Sequence, residues 1–265
     1  PASARSTPTF PEPAMRPLLI RLSLCLLAFL GRPSSAADRP PNVILFLPDD
    51  QGYADVGCFG AKDFKTPNFD RMAAEGMRFT DFYAGSSVCT PSRAALMTGR
   101  YAPRSGMASI KRRVLFPNSI GGLPDSEVTL AQAMKARGYA TACVGKWHLG
   151  YKDEFNPVRH GFDEYFGILL GHADYYRYNY FDGTYELRDG EKPVKAEGYL
   201  TDLINQRATQ FIRKHAKEPF FCYVPYNAVH SPYQPPNRPL PAVSKEGMYD
   251  GTRRDYAAML EKVDE

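Results

Sequence analysis

The chain has 265 residues, of which 43% are hydrophobic, so it is long enough to bury a substantial core and to form one or two domains. Its formal net charge is +4, but residues 1–37 carry four basic groups and one acidic group, which leaves 29 basic and 28 acidic groups in the rest. A body this close to neutral lacks the concentrated positive charge of nucleic-acid-binding proteins, and we expect no general affinity for nucleic acid.

The first 37 residues are typical of a secretory leader if translation starts at Met15. Arg16 supplies a positive charge, Leu22–Leu30 an apolar stretch, and Ser35–Ala37 a cleavage region of small residues. The apolar stretch is much shorter than the roughly 20 apolar residues that span a bilayer. We therefore expect residues 38–265 to form the body of a secreted or periplasmic protein, with no stable membrane span.

The first predicted strand, Val43–Leu47, is a continuous apolar run of the kind found in central parallel strands buried on both faces. It ends at Asp49 and Asp50. Thr66 followed by a proline predicts the N-cap of a helix that runs to Ala74. The aromatic segment Phe79–Tyr83 predicts a short strand.

Cys89 is predicted to lie just ahead of a helix over Pro91–Thr98, where free N–H groups favour an anion. Thr129 predicts the cap of a helix through Ala136, and Tyr139–Val144 reads as the next strand.

The segment 151–198 changes character, since it is rich in tyrosine and glycine and has little periodicity, and we expect loops and short hairpins there that select the substrate. The remaining predicted elements are a helix over Leu200–His215, a buried strand over Phe220–Val224, a proline-rich loop over Tyr226–Pro241 and a helix that starts near Thr252. Alternating strands and helices favour a doubly wound α/β sheet.

Asp49 and Asp50 are candidate metal ligands. An adjacent pair of acids is often only a turn or a cap. Here, however, the pair follows a buried strand, the edge of an α/β sheet where ligands collect. Two neighbouring carboxylates repel each other unless a cation lies near, and their hard oxygens suit calcium or magnesium.

The motif that begins at Cys89 carries the clearest signal in the chain. Cys89-Thr90-Pro91-Ser92-Arg93, continuing to Arg100, resembles the signature of the type I sulfatases, in which the cysteine is oxidised to formylglycine. The resemblance extends from Pro41 to Glu265. Its further anchors are Thr66–Ala73, Gly145–Gly150, His160–Asp163 and, for the branch that contains arylsulfatase A and N-acetylgalactosamine-6-sulfatase, Gly121–Glu127.

This resemblance implies an alkaline-phosphatase-like fold, a mostly parallel doubly wound sheet with helices on both faces, of which the chain is a C-terminally truncated portion. It also implies that calcium, or magnesium, is bound by Asp49, Asp50 and the modified Cys89, whose aldehyde hydrate offers oxygen in place of a soft thiol.

The remaining catalytic residues are also implied by the resemblance. Arg93 would orient the hydrated aldehyde and the carboxylates. Lys146 would contact the nucleophile and the sulfate, and His148 would serve the hydroxyl at position 89. Because one residue separates Lys146 from His148, an extended segment would point both to one face. His230 would donate a proton to the departing alcohol. Taken singly, these residues could equally be solvated or structural polar groups.

The implied function is hydrolysis of sulfate monoesters, on a sulfated glycan or an aryl sulfate, after a maturation enzyme has converted Cys89. One hydroxyl of the hydrate would attack sulfur, and deprotonation of the other by His148 would expel sulfate. Two alternatives remain open: a phosphonate or phosphate monoester hydrolase that uses the same modified cysteine, and a non-catalytic glycan-binding protein or truncated remnant.

Overall fold

The computed structural model describes residues 39–109, 113–238 and 250–265. The segment predicted to be a leader lies outside them. Contacts divide the chain into Pro1–Pro40 and Pro41–Glu265, and every element given below belongs to the second unit. Across the described ranges, no helix combines the length and the apolar character that membrane crossing requires.

A six-stranded, mostly parallel sheet forms the centre of the fold, as the alternating sequence pattern predicts. Its strands are β1 (Val43–Leu47), β2 (Ala140–Lys146), β3 (Glu164–Ile168), β4 (Leu187–Asp189), β5 (Lys192–Pro193) and β6 (Phe220–Pro225). They lie in the order β1-β6-β2-β3-β4-β5. The pairs among β1, β6, β2 and β3 are parallel, and β4 and β5 are added antiparallel.

Helices cover both faces of this sheet, which confirms the doubly wound prediction. They are α1 (Pro67–Glu75), α2 (Cys89–Thr98), α3 (Leu130–Lys135), α4 (Leu200–Lys214) and α5 (Arg253–Asp264). Alternate residues of β2 enter two separate apolar clusters. Val144 packs in the cluster that contains residues of α4 and α5, whereas Cys143 packs in the one that contains residues of α2 and α3. The period of two in a strand produces this division.

Strand β1 is not buried on both faces, and that prediction is wrong. It lies at the edge of the described sheet, with β6 as its single neighbour. Its burial alternates, and the side chains of Ile44 and Phe46 are each 39% exposed. A continuous apolar run does not reveal how many neighbours a strand has.

The prediction of loops and short hairpins over 151–198 is wrong in one respect, because the segment contains β3, a full member of the parallel sheet. The sequence did not indicate this strand because Gly167 lies within it, and the fold requires a glycine at this position. Gly167 pairs with Gly145 of β2, and a Cβ on it would lie 1.9 Å from the carbonyl oxygen of Gly145. Its φ of 153° also disfavours other residues.

The segment Phe79–Tyr83 is not a strand either. It has no regular structure, and the side chains of Phe79, Phe82 and Tyr83 are mostly exposed. Aromatic residues fit a half-buried pleated surface, but none of the strands in the described ranges lies beside this segment to provide one.

The helix predicted after Thr66 is present as α1, but Thr66 does not cap it through its side chain. Its hydroxyl accepts a hydrogen bond from the Gly57 N–H instead, at 2.8 Å. The carboxylate of Asp264 takes the capping role from the far end of the chain, since it accepts from the N–H groups of Asn68 and Phe69 at 2.9 and 2.7 Å. A contact of this sequence separation leaves no local sequence signal.

Candidate active site

The predicted site residues follow strands that end at one edge of the sheet. Asp49 and Asp50 come directly after β1, Lys146 is the last residue of β2, and His148 follows it. His230 lies in the loop after β6, the strand between β1 and β2. Since parallel strands end together, the topology alone gathers residues that are far apart in sequence.

Two backbone hydrogen bonds fix the acidic turn against the loop after β6. Asp49 donates its N–H to the Ala228 carbonyl at 2.8 Å, and Val229 donates to the Asp49 carbonyl at the same distance. The position of Asp49 is therefore set by main chain on both sides.

The carboxylate of Asp49 binds two buried cationic side chains. Its Oδ1 accepts from Arg93 at 3.0 Å, and its Oδ2 accepts a short hydrogen bond from the Lys146 ammonium. The three side chains are between 0% and 6% exposed. Burial alone would raise the pKa of Asp49, but attraction by Lys146 and Arg93 outweighs it and holds that pKa well below the ordinary value.

Arg93 connects α2 to the strands β2 and β6. One of its amino groups donates to the Lys146 carbonyl at 2.9 Å and to the Tyr223 hydroxyl at 3.4 Å. Burial opposes the charge of Arg93, but Asp49 and, to a smaller extent, Tyr223 and Cys89 raise its pKa, so it remains a cation. The buried cluster thus holds two positive charges against one negative charge.

Cys89 is the first residue of α2, rather than lying just ahead of it, and its thiol is free and half-buried. Val88 is the N-cap and makes no side-chain capping bond. The position lies close enough to Arg93 to influence the pKa of the guanidinium. A side chain here therefore lies at the positive end of a helix, with a cation in the same turn of sequence.

His148 is buried and adopts a positive φ of 56°, so the prediction that an extended segment aligns it with Lys146 is wrong. The chain turns after β2, and the ring Nε2 lies 2.8 Å from the Leu115 carbonyl oxygen, whereas Lys146 binds Asp49. Burial, followed by the positive charge of Lys146, places the pKa of His148 well below its usual value.

Asp50 and His230 form the exposed side of the site. The Asp50 side chain is 65% exposed, and its Oδ2 lies 3.6 Å from Nε2 of His230. The other ring nitrogen of His230 lies 2.6 Å from the Ser231 carbonyl oxygen. Burial and Lys146 lower the pKa of His230, although Asp49 and Asp50 oppose the shift.

His172, which sequence reasoning leaves outside the catalytic set, lies against this histidine. The two imidazoles are parallel within 5°, with ring centres 5.8 Å apart, and Tyr180 and Phe181 pack beside His172. Burial, aided by His230 and Lys146, lowers the pKa of His172 to about 3. It is therefore a neutral ring at neutral pH.

Sequence reasoning missed several groups that shape the site. The Tyr223 hydroxyl meets Arg93, and the Thr90 hydroxyl and the Leu115 carbonyl hold His148. Thr90 lies within the recognised motif and Tyr223 within a predicted strand, so the sequence does contain a signal for both. Leu115 contributes only a backbone oxygen and gives no side-chain signal.

The chemistry of the donors fits a hard cation, but the set is small. Asp49 and Asp50 offer carboxylates, and the buried Oε1 of Gln51, the next residue, has no hydrogen-bond partner in the described part of the chain. The three predicted ligands do not form a complete coordination shell. Asp49 is bound by two cationic side chains, and the Cys89 thiol is a soft ligand. In the described parts of the chain, no group of three or more His, Cys, Asp or Glu side chains is placed to hold a metal ion.

The family model for sulfatases matches residues 41–265. Human N-acetylgalactosamine-6-sulfatase is 38% identical over 249 residues, which cover 88% of this chain and 48% of the human protein. The chain therefore spans about half the length of the curated relatives it matches.

Solved structures also resemble this chain. Ps i-CgsB is 35% identical with a TM-score of 0.75, covering 85% of this chain and 53% of that one. BT4656, solved with its substrate D-glucosamine-2-N,6-O-disulfate, is 29% identical with a TM-score of 0.62, covering 75% of this chain and 36% of that one. These neighbours share the alkaline-phosphatase-like fold that the sequence predicts. The family-model match over residues 41–265, together with 38% identity to a curated relative, establishes that the chain belongs to the sulfatase family.

Proposed function

We propose that the protein hydrolyses sulfate monoesters, on sulfated carbohydrates, with a formylglycine hydrate at position 89 as the nucleophile and a bound divalent cation. The observation that carries this proposal is the buried cluster in which Asp49 binds both Arg93 and Lys146. Family membership and the sulfated sugar bound by BT4656 support it.

The charge of the cluster suits an anionic substrate. A sulfate ester repels an incoming nucleophile through its own oxygens, so its hydrolysis needs fixed positive charge near the reacting group. Two buried cations share one buried carboxylate here, and the excess positive charge is carried by Arg93 and Lys146. Because these groups are preorganised, they would not have to reorient when charge develops.

Calcium, or magnesium, would be held by Asp49, Asp50 and the oxygen that replaces the Cys89 thiol. It would add positive charge beside the sulfate, and the hydrate would supply two hydroxyl groups on one carbon. We assign to Arg93 the orientation of Asp49, to Lys146 contact with the sulfate, and to His148 the removal of a proton from position 89.

His230 would give a proton to the departing alcohol. Its Nδ1 lies beside a carbonyl oxygen, which only accepts, so this nitrogen carries a hydrogen. Nε2 is the nitrogen that faces Asp50, and donation from it requires the imidazolium. An anionic ester bound nearby would favour that form.

The remaining partners follow from the same chemistry. A formylglycine-generating maturation enzyme would act on Cys89 before folding is complete, because the motif lies in a helix of the folded chain.

We also propose that the protein is secreted or periplasmic, on the basis of the sequence that precedes residue 38.

The test compares matched aryl sulfate and aryl phosphate esters, using this chain alone and the longest form that its gene encodes, each coexpressed with a maturation enzyme. Peptide mass spectrometry first measures the aldehyde at position 89. We expect sulfate hydrolysis that Lys146→Met abolishes and that chelation of divalent ions reduces. Dominant phosphatase activity would instead identify a phosphate monoester hydrolase, and an unmodified thiol with no turnover would favour a non-catalytic protein.

A further inference from the structure

A closed set of hydrogen bonds through Thr90 and Leu115 holds the imidazole of His148. The Leu115 N–H donates to the Thr90 hydroxyl at 3.1 Å, and this hydroxyl donates to the His148 carbonyl at 3.1 Å. The His148 Nε2 lies 2.8 Å from the Leu115 carbonyl oxygen. All three residues are buried, with exposures of 0% to 4%, so water does not compete for these bonds.

The direction of the last bond determines which ring nitrogen carries hydrogen. A carbonyl oxygen only accepts, so Nε2 of His148 must donate. In the neutral ring, which the lowered pKa favours, the lone pair then lies on Nδ1. Nδ1 is buried and has no hydrogen-bond partner among the residues that the structure describes. A buried nitrogen left in this state costs about 1–3 kcal/mol, which a catalytic role would explain.

Thr90 is also the neighbour of Cys89 in the first turn of α2. The same hydroxyl that fixes the backbone of His148 therefore belongs to the turn that carries the nucleophile position. A second contact, from the His148 N–H to the Leu169 carbonyl at 3.1 Å, holds the opposite side of the residue. Among these links, only the Thr90 hydroxyl joins α2 directly to the main chain of His148.

We propose that Thr90 is a positioning residue, whose hydroxyl holds His148 as the tautomer with hydrogen on Nε2 and a free lone pair on Nδ1. Provided that the proposed function holds, Nδ1 is the atom that takes the proton of a hydroxyl at position 89. The O–H bond breaks, its electron pair stays on oxygen, and the new N–H bond leaves an imidazolium that still donates from Nε2 to Leu115.

The kinetic test uses Thr90→Val, which keeps the side-chain shape and removes both hydrogen bonds. We expect kcat to fall by about 10- to 100-fold, since misplacement of a catalytic group by about 1 Å can cost that much. KM should change little, because the base acts in the chemical step. Thr90→Ser should restore most of the loss. Thr98→Val is the matched control, since its hydroxyl bonds nearby main chain, donating to the Ala94 carbonyl at 2.7 Å and accepting from the Arg100 N–H at 3.3 Å.

Rates are normalised to the formylglycine content of each variant, so that a defect in maturation is not read as a defect in catalysis. Equal kcat values for Thr90→Val, Thr90→Ser and the unsubstituted protein would overturn the proposal, as would an equal loss in Thr98→Val.

A second measurement does not depend on activity. The ¹⁵N chemical shifts of the His148 ring distinguish the protonated nitrogen from the unprotonated one. We expect hydrogen on Nε2 in the unsubstituted protein and in Thr90→Ser, and a loss of this preference in Thr90→Val. Hydrogen on Nδ1 in the unsubstituted protein would overturn the inference even if Thr90→Val failed to fold. An inactive protein with the expected tautomer contradicts the proposed function but leaves the positioning by Thr90 supported.

Discussion

Gly171 lies directly against the ring of His148. A Cβ atom placed on Gly171 would be 2.7 Å from Cε1 of His148 and 3.0 Å from its Nε2. Real side chains do not approach this closely, and the ring has little freedom to move because its Nε2 is held by Leu115. The glycine is therefore required here for space rather than for an unusual backbone angle.

The first prediction is that Gly171→Ala lowers kcat by about 10-fold or more while the protein remains folded. The added methyl group must push the His148 ring away from the Leu115 carbonyl, and catalytic groups tolerate little displacement. Steady-state kinetics on an aryl sulfate measure the effect. Gly76→Ala, at the end of α1, serves as the control, because its Cβ would meet only the Met72 carbonyl oxygen, at 3.1 Å. Full activity in Gly171→Ala would contradict the role assigned to the ring.

Features that reside in one continuous stretch of sequence could be predicted. The strand β6 and the acids after β1 appear where their local patterns place them, and the helix α2 is present although it begins at Cys89, two residues before the predicted start. The partner of each charge could not be predicted. Asp49 and Asp50 look equivalent in sequence, yet one is 5% exposed and bound to two cations, and the other side chain is 65% exposed.

This difference arises from tertiary contacts that have no local signature. The Asp49 main chain is held by Ala228 and Val229, almost 180 residues away, and these bonds turn its side chain inward. Likewise, β3 was missed because the glycine in its middle serves a close approach of backbones rather than a strand propensity.

The second prediction concerns the stability of the charged cluster. Asp49→Asn leaves the buried Arg93 and Lys146 without a carboxylate, and we expect a loss of about 3–5 kcal/mol in the free energy of unfolding. Lys146→Met should cost less, because Asp49 and Arg93 then remain as a neutral pair. Denaturant unfolding of the two variants gives the comparison. Asp50→Asn, in which the substituted group is mostly exposed, should remain near the stability of the unsubstituted protein.

A smaller loss of stability for Asp49→Asn than for Lys146→Met would mean that the cluster does not carry excess positive charge. We further expect sulfate ion to offset part of the loss in Asp49→Asn, since an anion could pair with the two cations, whereas chloride at equal ionic strength should do less.

The third prediction is that Cys89→Ser abolishes multiple turnover, in the longest form that the gene encodes, even though serine also offers a hydroxyl. A hydrate carries a second hydroxyl whose deprotonation releases sulfate, and serine has none. Product formation should therefore stop at or below one equivalent per protein molecule. Quenched-flow measurement of alcohol release tests this limit. Sustained turnover by the serine variant would show that the formylglycine route is not needed.

The fourth prediction is that Glu186 makes the stability of the folded protein depend on pH. This carboxyl group is 0% exposed, and its Oε2 accepts from the Leu170 N–H at 2.9 Å. Its Oε1 is buried and meets no hydrogen-bond donor within the described ranges. Burial raises its pKa to about 7, from an ordinary value of 4.5, although Arg188 opposes the shift.

Because the folded-state pKa of Glu186 lies above the unfolded value, the folded protein binds its proton more tightly. The resulting stability is fully present below the unfolded pKa of 4.5 and is lost as pH rises through the folded value of about 7. The loss is at most about 3 kcal/mol, from the free energy equivalent of the shift. Glu186→Gln removes the titration and keeps an oxygen for Leu170.

We therefore expect Glu186→Gln to be more stable than the unsubstituted protein at about pH 8 and to lose this advantage at about pH 5. Denaturant midpoints at a series of pH values measure the difference. Glu75→Gln, an exposed position at the end of α1, should show no such crossover. A stability difference independent of pH would contradict the prediction, because it would mean that Glu186 binds its proton equally in the folded and the unfolded protein and that burial does not raise its pKa.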